Sequence, residues 1–206
     1  MIAIVDYGVG NLFSLQRSLE AIGAKSVITG NAQALRSADK IILPGVGAFG
    51  DAAQKLKDTG LMELLRDLAK EGKPLLGICL GMQLLLEKSY EYGEHEGLGL
   101  IRGEIDRIAV PDKEMYKLPQ MGWNRLHLVG EHPLFRYIRE GDFVYFVHSF
   151  HGIHCQDATI ATTDYGTTVT AAVASGNVWG VQFHPEKSGA VGLSILRAFA
   201  EEGEDF

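Results

Sequence analysis

Short apolar runs that alternate with amphipathic stretches are the feature that most limits how this chain can fold. Continuous apolar runs are typical of strands covered on both faces, and they occur at residues 2–5, 27–28, 41–43 and 75–78. Leucines recur at helical spacing between these runs, at positions 12, 15 and 19 and again at 61, 64, 65 and 68. A further helix is predicted over residues 80–87. This alternation predicts a parallel sheet with helices on both sides.

The second half of the chain has a different pattern. Segments with strand character follow one another with little helical periodicity between them, at residues 104–108, 143–147, 159–162, 169–174 and 178–183. Strands joined without crossover helices pair antiparallel, so part of this half is predicted to be antiparallel. A final helix over residues 187–200 places Val191, Ile195 and Phe199 on one face. No linker, repeat or low-complexity stretch divides the sequence, which predicts a single domain over residues 1–206.

Composition and charge narrow the classes of function. The 206 residues suffice for one substantial core, with an ordinary apolar fraction of 46%. A net charge of −7 disfavours nucleic acid as the main partner, because phosphate binding requires a basic surface. The two cysteines, Cys79 and Cys155, are too few for a disulfide framework, so a reducing, cytoplasmic location is expected. Neither a signal peptide nor an apolar run near the roughly 20 residues of a membrane span is recognisable.

Cys79 stands between two glycines at a predicted strand-to-helix junction. The segment GICLG at residues 77–81 has the form of a nucleophile elbow with cysteine in place of serine. Side chains beside such a sharp turn would clash, which explains the glycines. The start of the following helix places partial positive charge near the sulfur, and this favours the reactive thiolate. A lone buried cysteine is usually inert, but the flanking glycines favour a nucleophile.

A cysteine nucleophile needs a base and a group that orients the base. Among seven histidines, His184 is the best placed, because it ends an apolar strand where a parallel sheet has its active edge. Pro185 keeps His184 extended, and Glu186 is close enough in sequence to accept a hydrogen bond from the imidazole. Glu186 is equally expected as an acidic residue in the first turn of a helix. Both interpretations remain open at the level of sequence.

A second group of polar residues invites a metal interpretation. His148, His151, His154 and Cys155 lie within eight residues and are all possible zinc ligands. Their three-residue spacing suits one face of a helix, whereas the preceding segment is predicted to be a strand. Separate structural roles for these side chains are therefore the preferred interpretation, and neither a metal nor another cofactor is expected.

Two segments together carry a family resemblance. The residues GICLGMQ at 77–83 and GVQFHPE at 180–186 resemble the motifs of class I glutamine amidotransferases and stand in the same order. Further stretches resemble one subfamily, the glutaminase subunits of imidazole glycerol phosphate synthases: DYGVGN at 6–11, PGVGAFG at 44–50, PQMGWN at 119–124 and YFVHS at 145–149. The resemblance runs nearly end to end. It implies a flavodoxin-like three-layer α/β sandwich with a mixed, mostly parallel central sheet.

The resemblance also implies roles for individual residues. Cys79 would attack the side-chain amide of glutamine, with His184 as general base and Glu186 orienting it. Backbone N–H groups near Leu80 and Val46 would stabilise the oxyanion. The residues that match glutamine-binding positions are Gly47, Gln83, Glu91, Ser149 and Phe150. The family often has tyrosine where this chain has Phe150, and this would weaken glutamine binding only if the hydroxyl contributes.

The implied partner is a cyclase subunit with a (β/α)8-barrel fold. Ammonia would pass to it through a channel, and Asn11, Trp123 and Lys187 match family positions near that interface. From the residues alone, Trp123 could equally be a core aromatic. Three alternatives remain: the amidotransferase subunit of an anthranilate-type synthase, a stand-alone cysteine γ-glutamyl hydrolase and a non-catalytic binding module. Anthranilate-type subunits lack the stretches seen here at 6–11 and 119–124. A non-catalytic binding module would not need Cys79, His184 and Glu186 together.

Overall fold

The computed structural model describes residues 1–203, which form fourteen strands and six α-helices. The strands are β1 (Ile2–Val5), β2 (Ser26–Thr29), β3 (Lys40–Leu43), β4 (Leu75–Ile78), β5 (Lys88–Ser89), β6 (His95–Glu96), β7 (Glu104–Arg107), β8 (Gln120–Arg125), β9 (His127–Leu128), β10 (Phe143–His148), β11 (Phe150–Ile153), β12 (Thr159–Asp164), β13 (Thr168–Ser175) and β14 (Val178–Val181). The helices are α1 (Leu12–Ala21), α2 (Ala32–Ser37), α3 (Phe49–Asp58), α4 (Leu61–Lys70), α5 (Leu80–Leu85) and α6 (Gly189–Ala200).

An eight-stranded mixed sheet forms the centre of the molecule, in the order β2-β1-β3-β4-β14-β13-β12-β9. Neighbouring strands from β2 to β14 are parallel, and those from β14 to β9 are antiparallel. The predicted parallel first half and partly antiparallel second half are both confirmed. Strand β14 joins the two parts, because it pairs parallel with β4 on one side and antiparallel with β13 on the other.

Helices cover both faces of this sheet. Alternate residues of β1 enter different cores: Ala3 and Val5 pack on the side of α2 to α5, and Ile2 and Ile4 on the side of α1 and α6. The four strands β1, β3, β4 and β14 are buried along their whole length. This explains their continuous apolar sequences and confirms the three-layer sandwich. No helix within residues 1–203 has the length and apolar character that crossing a membrane would require.

Several element ends differ from the sequence prediction. Helix α5 stops at Leu85 because Leu86 is already extended, and the last helix begins at Gly189 after a 3-10 turn at Pro185–Lys187. The strand predicted over 178–183 ends at Val181. Helix α3 was not predicted, although its buried residues have helical spacing: Phe49, Ala52, Ala53 and Leu56.

Two small sheets lie outside the central one. Strands β8 and β10 form an antiparallel pair, and β11, β7, β5 and β6 form a four-stranded sheet in that order. The connections of these sheets contribute residues to the same cavity as the turn after β4. The second half of the chain therefore supplies walls for a site whose floor belongs to the first half.

Candidate active site

Cys79 lies in a strained turn between β4 and α5. Its φ of 54° and ψ of −112° are unusual for a residue with a side chain, and such strain is found where function requires it. The backbone N–H of Cys79 donates to the Val181 carbonyl over 2.8 Å, which ties the turn to β14. A Cβ on Gly81 would lie 1.8 Å from the Leu43 oxygen, and one on Gly77 would lie 2.6 Å from the Gly81 oxygen. Both flanking glycines are therefore required by close backbone packing.

His184 and Glu186 form a buried pair just beyond β14. The Nδ1 of His184 lies 2.8 Å from Oε1 of Glu186, and the two side chains are only 3% and 4% exposed. The other nitrogen, Nε2, has no hydrogen-bond partner within residues 1–203. Because β14 is the parallel neighbour of β4, His184 follows its strand on the same sheet edge as Cys79. The imidazole thus has one nitrogen held by the carboxylate and one available for chemistry.

The charge state of His184 follows from its neighbours. Burial by itself lowers the pKa of His184, but the interactions with Cys79 and then with Glu186 outweigh it and raise the pKa from 6.5 to about 9. At neutral pH the imidazole is therefore protonated. Glu186 lies beside this positive charge, with its Oε1 2.8 Å from Nδ1.

A cavity of about 300 Å³ opens above Cys79. Its lining includes every residue that the family resemblance assigned to the oxyanion hole or to glutamine binding: Val46, Gly47, Leu80, Gln83, Glu91, Ser149 and Phe150. His184 also lines the cavity, whereas Glu186 lies behind it. The lining also contains residues to which the sequence analysis gave no role in this site, namely Tyr92, Pro119, Val147 and His148.

The loop between β3 and α3 is held at both ends. The hydroxyl of Tyr7 donates to the Pro44 carbonyl over 2.8 Å, and the Phe49 N–H donates to Oε2 of Glu91 over 2.8 Å. A Cβ on Gly45 would lie 2.8 Å from the Tyr7 hydroxyl, so this loop packs directly on the phenol. Burial, and to a lesser extent the charge of Cys79, raises the pKa of Tyr7. Tyr7 therefore stays a hydrogen-bond donor, a role that the motif at residues 6–11 did not reveal.

A chain of buried side chains connects the nucleophile to the wall of the cavity. Gln182 donates from Nε2 to the Cys79 sulfur over 3.7 Å, and its Oε1 accepts from Nε2 of Gln83 over 3.1 Å. Gln83 also donates to the Phe150 carbonyl over 3.1 Å. His148 reaches the same carbonyl through Nδ1 over 2.7 Å. Gln182 belongs to the second family-like motif, but nothing in the local sequence indicated a contact with a residue 103 positions away.

The residues that suggested a metal site have separate partners. His148 is buried beneath the cavity, and its burial lowers its pKa to about 4, so it is neutral. His151 accepts from the Thr170 N–H, exposed His154 pairs with Glu104, and Cys155 lies 3.8 Å from the Thr170 hydroxyl. Within residues 1–203, no three His, Cys, Asp or Glu side chains are grouped so that they could hold a metal ion.

The three predicted interface residues lie near the active edge of the sheet. Trp123 is 55% exposed and stacks edge-on against Tyr145, with 6.2 Å between ring centroids. The interpretation of Trp123 as a core aromatic is therefore wrong. Exposed Lys187 places its Nζ 5.9 Å from the centroid of the same Tyr145 ring. Asn11 precedes α1 and lines a narrow cavity that His184 and Glu186 also line.

Comparisons with known proteins agree with this geometry. The family model described as glutamine amidotransferase class-I matches residues 3–202. The chain is 50% identical over 204 residues to the imidazole glycerol phosphate synthase subunit HisH of Sulfurimonas denitrificans, covering 98% of both chains. It is also 50% identical over 202 residues to the subunit of the same name from Geobacillus kaustophilus, covering 97% of this chain and 95% of that one.

Solved structures share the fold at much lower sequence identity. A structure described as a glutamine amidotransferase has a TM-score of 0.76 at 19% identity, covering 98% of both chains. The structure of PurLQS from Thermotoga maritima has a TM-score of 0.73 at 22% identity, covering 96% of both chains. The fold, the elbow cysteine and the match over residues 3–202 lead to one assignment: the chain belongs to the class I glutamine amidotransferase family.

Proposed function

We propose that this chain is the glutaminase subunit of an imidazole glycerol phosphate synthase. It hydrolyses glutamine to glutamate and ammonia through a Cys79 thioester and passes the ammonia to a cyclase subunit. The cyclase then makes imidazole glycerol phosphate and the aminoimidazole carboxamide ribonucleotide of histidine biosynthesis. The observation that carries this proposal is the 50% identity, over nearly the whole of both chains, to subunits that bear this name. The proposal treats residues 1–206 as one domain.

The first half-reaction releases ammonia. The Cys79 thiolate attacks the side-chain amide carbon of glutamine, and the carbonyl oxygen becomes an oxyanion. Leu80 begins α5, where backbone N–H groups have no intrahelical acceptor, so its N–H can stabilise the oxyanion together with one near Val46. His184, protonated because its pKa is about 9, gives the Nε2 proton to the leaving nitrogen. The C–N bond breaks, ammonia departs and a glutamyl thioester remains.

The second half-reaction regenerates the enzyme. Neutral His184 now takes a proton from water, and the resulting hydroxide adds to the thioester carbon. The C–S bond breaks, Cys79 leaves as thiolate and glutamate forms, with its carboxyl proton going to solvent. Glu186 keeps Nδ1 of the imidazole engaged in both steps. In this scheme His184 is first an acid and then a base, a refinement of the general-base role that the resemblance implied.

Glutamine binding is assigned to groups that line the cavity. Glu91 uses Oε2 to hold the Phe49 N–H, which leaves its other oxygen for the α-ammonium group of glutamine. The Phe150 carbonyl already accepts from Gln83 and His148. We therefore assign the contribution of Phe150 to its ring, which faces Tyr92 with 6.5 Å between ring centroids. On this assignment, phenylalanine in place of the family tyrosine does not weaken glutamine binding.

The docking surface for the cyclase is assigned to the outer face of the β8–β10 pair. Met121, Trp123 and Phe143 are 64%, 55% and 48% exposed there, although all three are large and apolar. Exposed apolar side chains grouped in this way are typical of protein interfaces. Their neighbour Tyr145 accepts through its carbonyl from the His184 N–H over 2.9 Å. Docking of a (β/α)8-barrel partner on this face therefore acts next to the catalytic histidine.

The proposed location is the cytoplasm. Cys79 and Cys155 are both free, as is usual for cysteines in a reducing compartment.

A paired assay tests the proposal. Synthase activity is measured with glutamine or with ammonium as nitrogen donor, and glutamine hydrolysis is measured with and without the cyclase. We expect the Cys79→Ala variant to lose all glutamine-dependent activity while ammonium-dependent synthesis in the complex is unchanged, because the cysteine only generates ammonia. The wild-type chain should hydrolyse glutamine rapidly only with the cyclase. Full hydrolysis by the chain alone would instead identify a stand-alone γ-glutamyl hydrolase, and stimulation by a different synthase would identify an anthranilate-type subunit.

A further inference from the structure

Gln182 lies against the nucleophile and has no part in the mechanism above. It is fully buried, directly follows β14 and donates its own backbone N–H to the Ala171 carbonyl over 2.8 Å. In the extended segment after β14, Gln182 and His184 are alternate residues, so both side chains face Cys79 while Phe183 between them packs into the core. We infer that Gln182 is a positioning residue whose amide N–H holds the Cys79 sulfur and stabilises its thiolate form.

The orientation of the Gln182 amide is fixed by its neighbours. Its Oε1 accepts from Gln83, so its Nε2 must point toward the sulfur. A flipped amide would place Nε2 of Gln182 against Nε2 of Gln83, and two buried donors would face each other without acceptors, which is costly. Gln83 is fixed in turn, because its two N–H groups are directed at Gln182 and at the Phe150 carbonyl.

The far end of this chain is also anchored. The Phe150 carbonyl accepts from His148 Nδ1 over 2.7 Å as well as from Gln83. A carbonyl oxygen can only accept, so the hydrogen of this bond lies on Nδ1 of His148, whose pKa burial lowers to about 4. Each hydrogen bond between His148 and Gln182 therefore has only one possible donor. The last member of the chain presents an N–H group, and never an oxygen, to Cys79.

A fixed N–H donor beside the sulfur affects both half-reactions. A hydrogen bond to a charged acceptor is stronger than one to a neutral acceptor, so this contact favours the thiolate over the thiol and over the thioester. It therefore increases the fraction of Cys79 that is thiolate before the first step, and it assists the thiolate as leaving group in the second. This role rests on the proposed function, but its effect on the thiol does not require a cyclase or glutamine.

Alkylation of the free subunit tests the inference directly. The rate of modification of Cys79 by iodoacetamide is measured against pH in a Cys155→Ala background, so that one thiol remains. We expect Gln182→Met, which keeps the shape but removes the donor, to slow alkylation at pH 7 about three- to tenfold. The half-maximal alkylation pH should rise in parallel. An unchanged pH profile in this variant would overturn the inference.

Matched variants separate this effect from loss of folding. Asn177→Ala also removes two amide hydrogen bonds, to the Ala69 and Lys73 carbonyls, but this half-buried residue lies at the opposite end of β14. It should lower thermal stability and leave the alkylation profile unchanged. If Gln182→Met does not fold, Gln83→Leu decides, because it releases Oε1 of Gln182 and should raise the half-maximal pH by a smaller amount. No shift in Gln83→Leu would then count against the inference.

Turnover in the reconstituted complex gives a second readout. Gln182→Met should lower kcat for glutamine hydrolysis more than it changes KM, because the amide contacts the sulfur and not the glutamine. A change confined to KM would contradict the positioning role. Failure of the proposed function has a different signature: the wild-type chain would show no cyclase-dependent hydrolysis, while the alkylation shift in Gln182→Met would persist.

Discussion

At the scale of single residues, the geometry around Cys79 depends on two glycines that pack against backbone atoms, and the charge of the site depends on the proton of His184. Gly77 and Gly81 allow β3, β4 and α5 to approach so closely that a methyl group at either position would overlap backbone atoms. This packing holds Cys79 at a φ of 54°. In the proposed reaction His184 supplies the proton for the leaving nitrogen, because Cys79 and Glu186 outweigh the effect of burial on its pKa.

Replacement of Gly81 by alanine should destabilise the protein strongly. The added Cβ would lie 1.8 Å from the Leu43 carbonyl oxygen, and backbone on both sides must shift to make room. We expect a loss of about 3 kcal/mol in the free energy of unfolding, measured by urea denaturation. Gly176→Ala is the matched control, because that glycine has a φ of +55° with open space around it. In Gly176→Ala we expect a loss of only about 1 kcal/mol in the free energy of unfolding, caused by backbone strain. Equal losses in the two variants would refute the packing argument.

The raised pKa of His184 predicts two pH effects. A group whose pKa is higher in the folded than in the unfolded state stabilises the fold fully below the unfolded value, and this contribution disappears as the pH rises through the folded value. The free energy of unfolding should thus fall between pH 6.5 and about 9. Cys79→Ala removes the larger of the two interactions that raise the pKa and should reduce that fall. Glutamine hydrolysis should also decline above about pH 9, because His184 is then neutral and cannot donate a proton to the leaving nitrogen.

At the scale of structural elements, the site is assembled from connections, each of which is anchored by a distant residue. The loop after β3 is held by Tyr7 from the end of β1 and by Glu91 from the connection between β5 and β6. The turn after β14 is held by β10, since the His184 N–H bonds the Tyr145 carbonyl and the Tyr145 N–H bonds the Ser188 hydroxyl. Each catalytic connection therefore has a second element that determines its position.

Tyr7→Phe tests the anchor of the loop after β3. The change removes only the hydroxyl that donates to Pro44, so we expect a loss of about 1 kcal/mol in stability. Because the loop carries the proposed oxyanion N–H near Val46, kcat for glutamine hydrolysis should fall while KM changes little. Steady-state kinetics of the complex measure both constants, and an unaltered kcat would separate Tyr7 from the oxyanion site.

Trp123→Ala tests the outer face of the β8–β10 pair. Trp123 is more than half exposed, so its removal should change the melting temperature of the free subunit little. Affinity for the cyclase, measured by calorimetry, should fall roughly 10- to 100-fold, as expected for a buried aromatic at an interface. The control is Tyr137→Ala, an exposed aromatic whose hydroxyl bonds Glu201 beyond the C-terminal end of α6. An equal loss of affinity in both variants would contradict the assignment of the face.

At the scale of the whole molecule, one strand pairing creates the active site. The pairing of β14 with β4 places Val181 beside Ile78. Cys79 directly follows Ile78, and His184 comes three positions after Val181. The two small sheets then enclose the cavity above Cys79 with residues from the second half of the chain. The exposed apolar β8–β10 face lies beside the turn that carries His184, and this position supports the proposed docking of a cyclase there.

The sequence by itself determined the properties that depend on neighbours along the chain. Apolar runs and helical spacing predict the buried strands and most helices, because burial of a strand or a helix face is recorded in local periodicity. The glycine-flanked Cys79 and the segment around His184 are local in the same sense. Their physical constraint, a sharp turn or an extended residue before proline, acts within a few residues.

Only the tertiary structure decided the contacts between distant segments. Tyr7 on Pro44, Gln182 on Cys79 and Glu91 on Phe49 join residues 37, 103 and 42 positions apart. Each contact is a hydrogen bond whose partner is chosen by the order of strands in the sheet, and periodicity carries no information about that order. The sequence did not determine whether Trp123 is exposed for the same reason. The exposure of a β8 side chain depends on whether another element packs over that face of the strand.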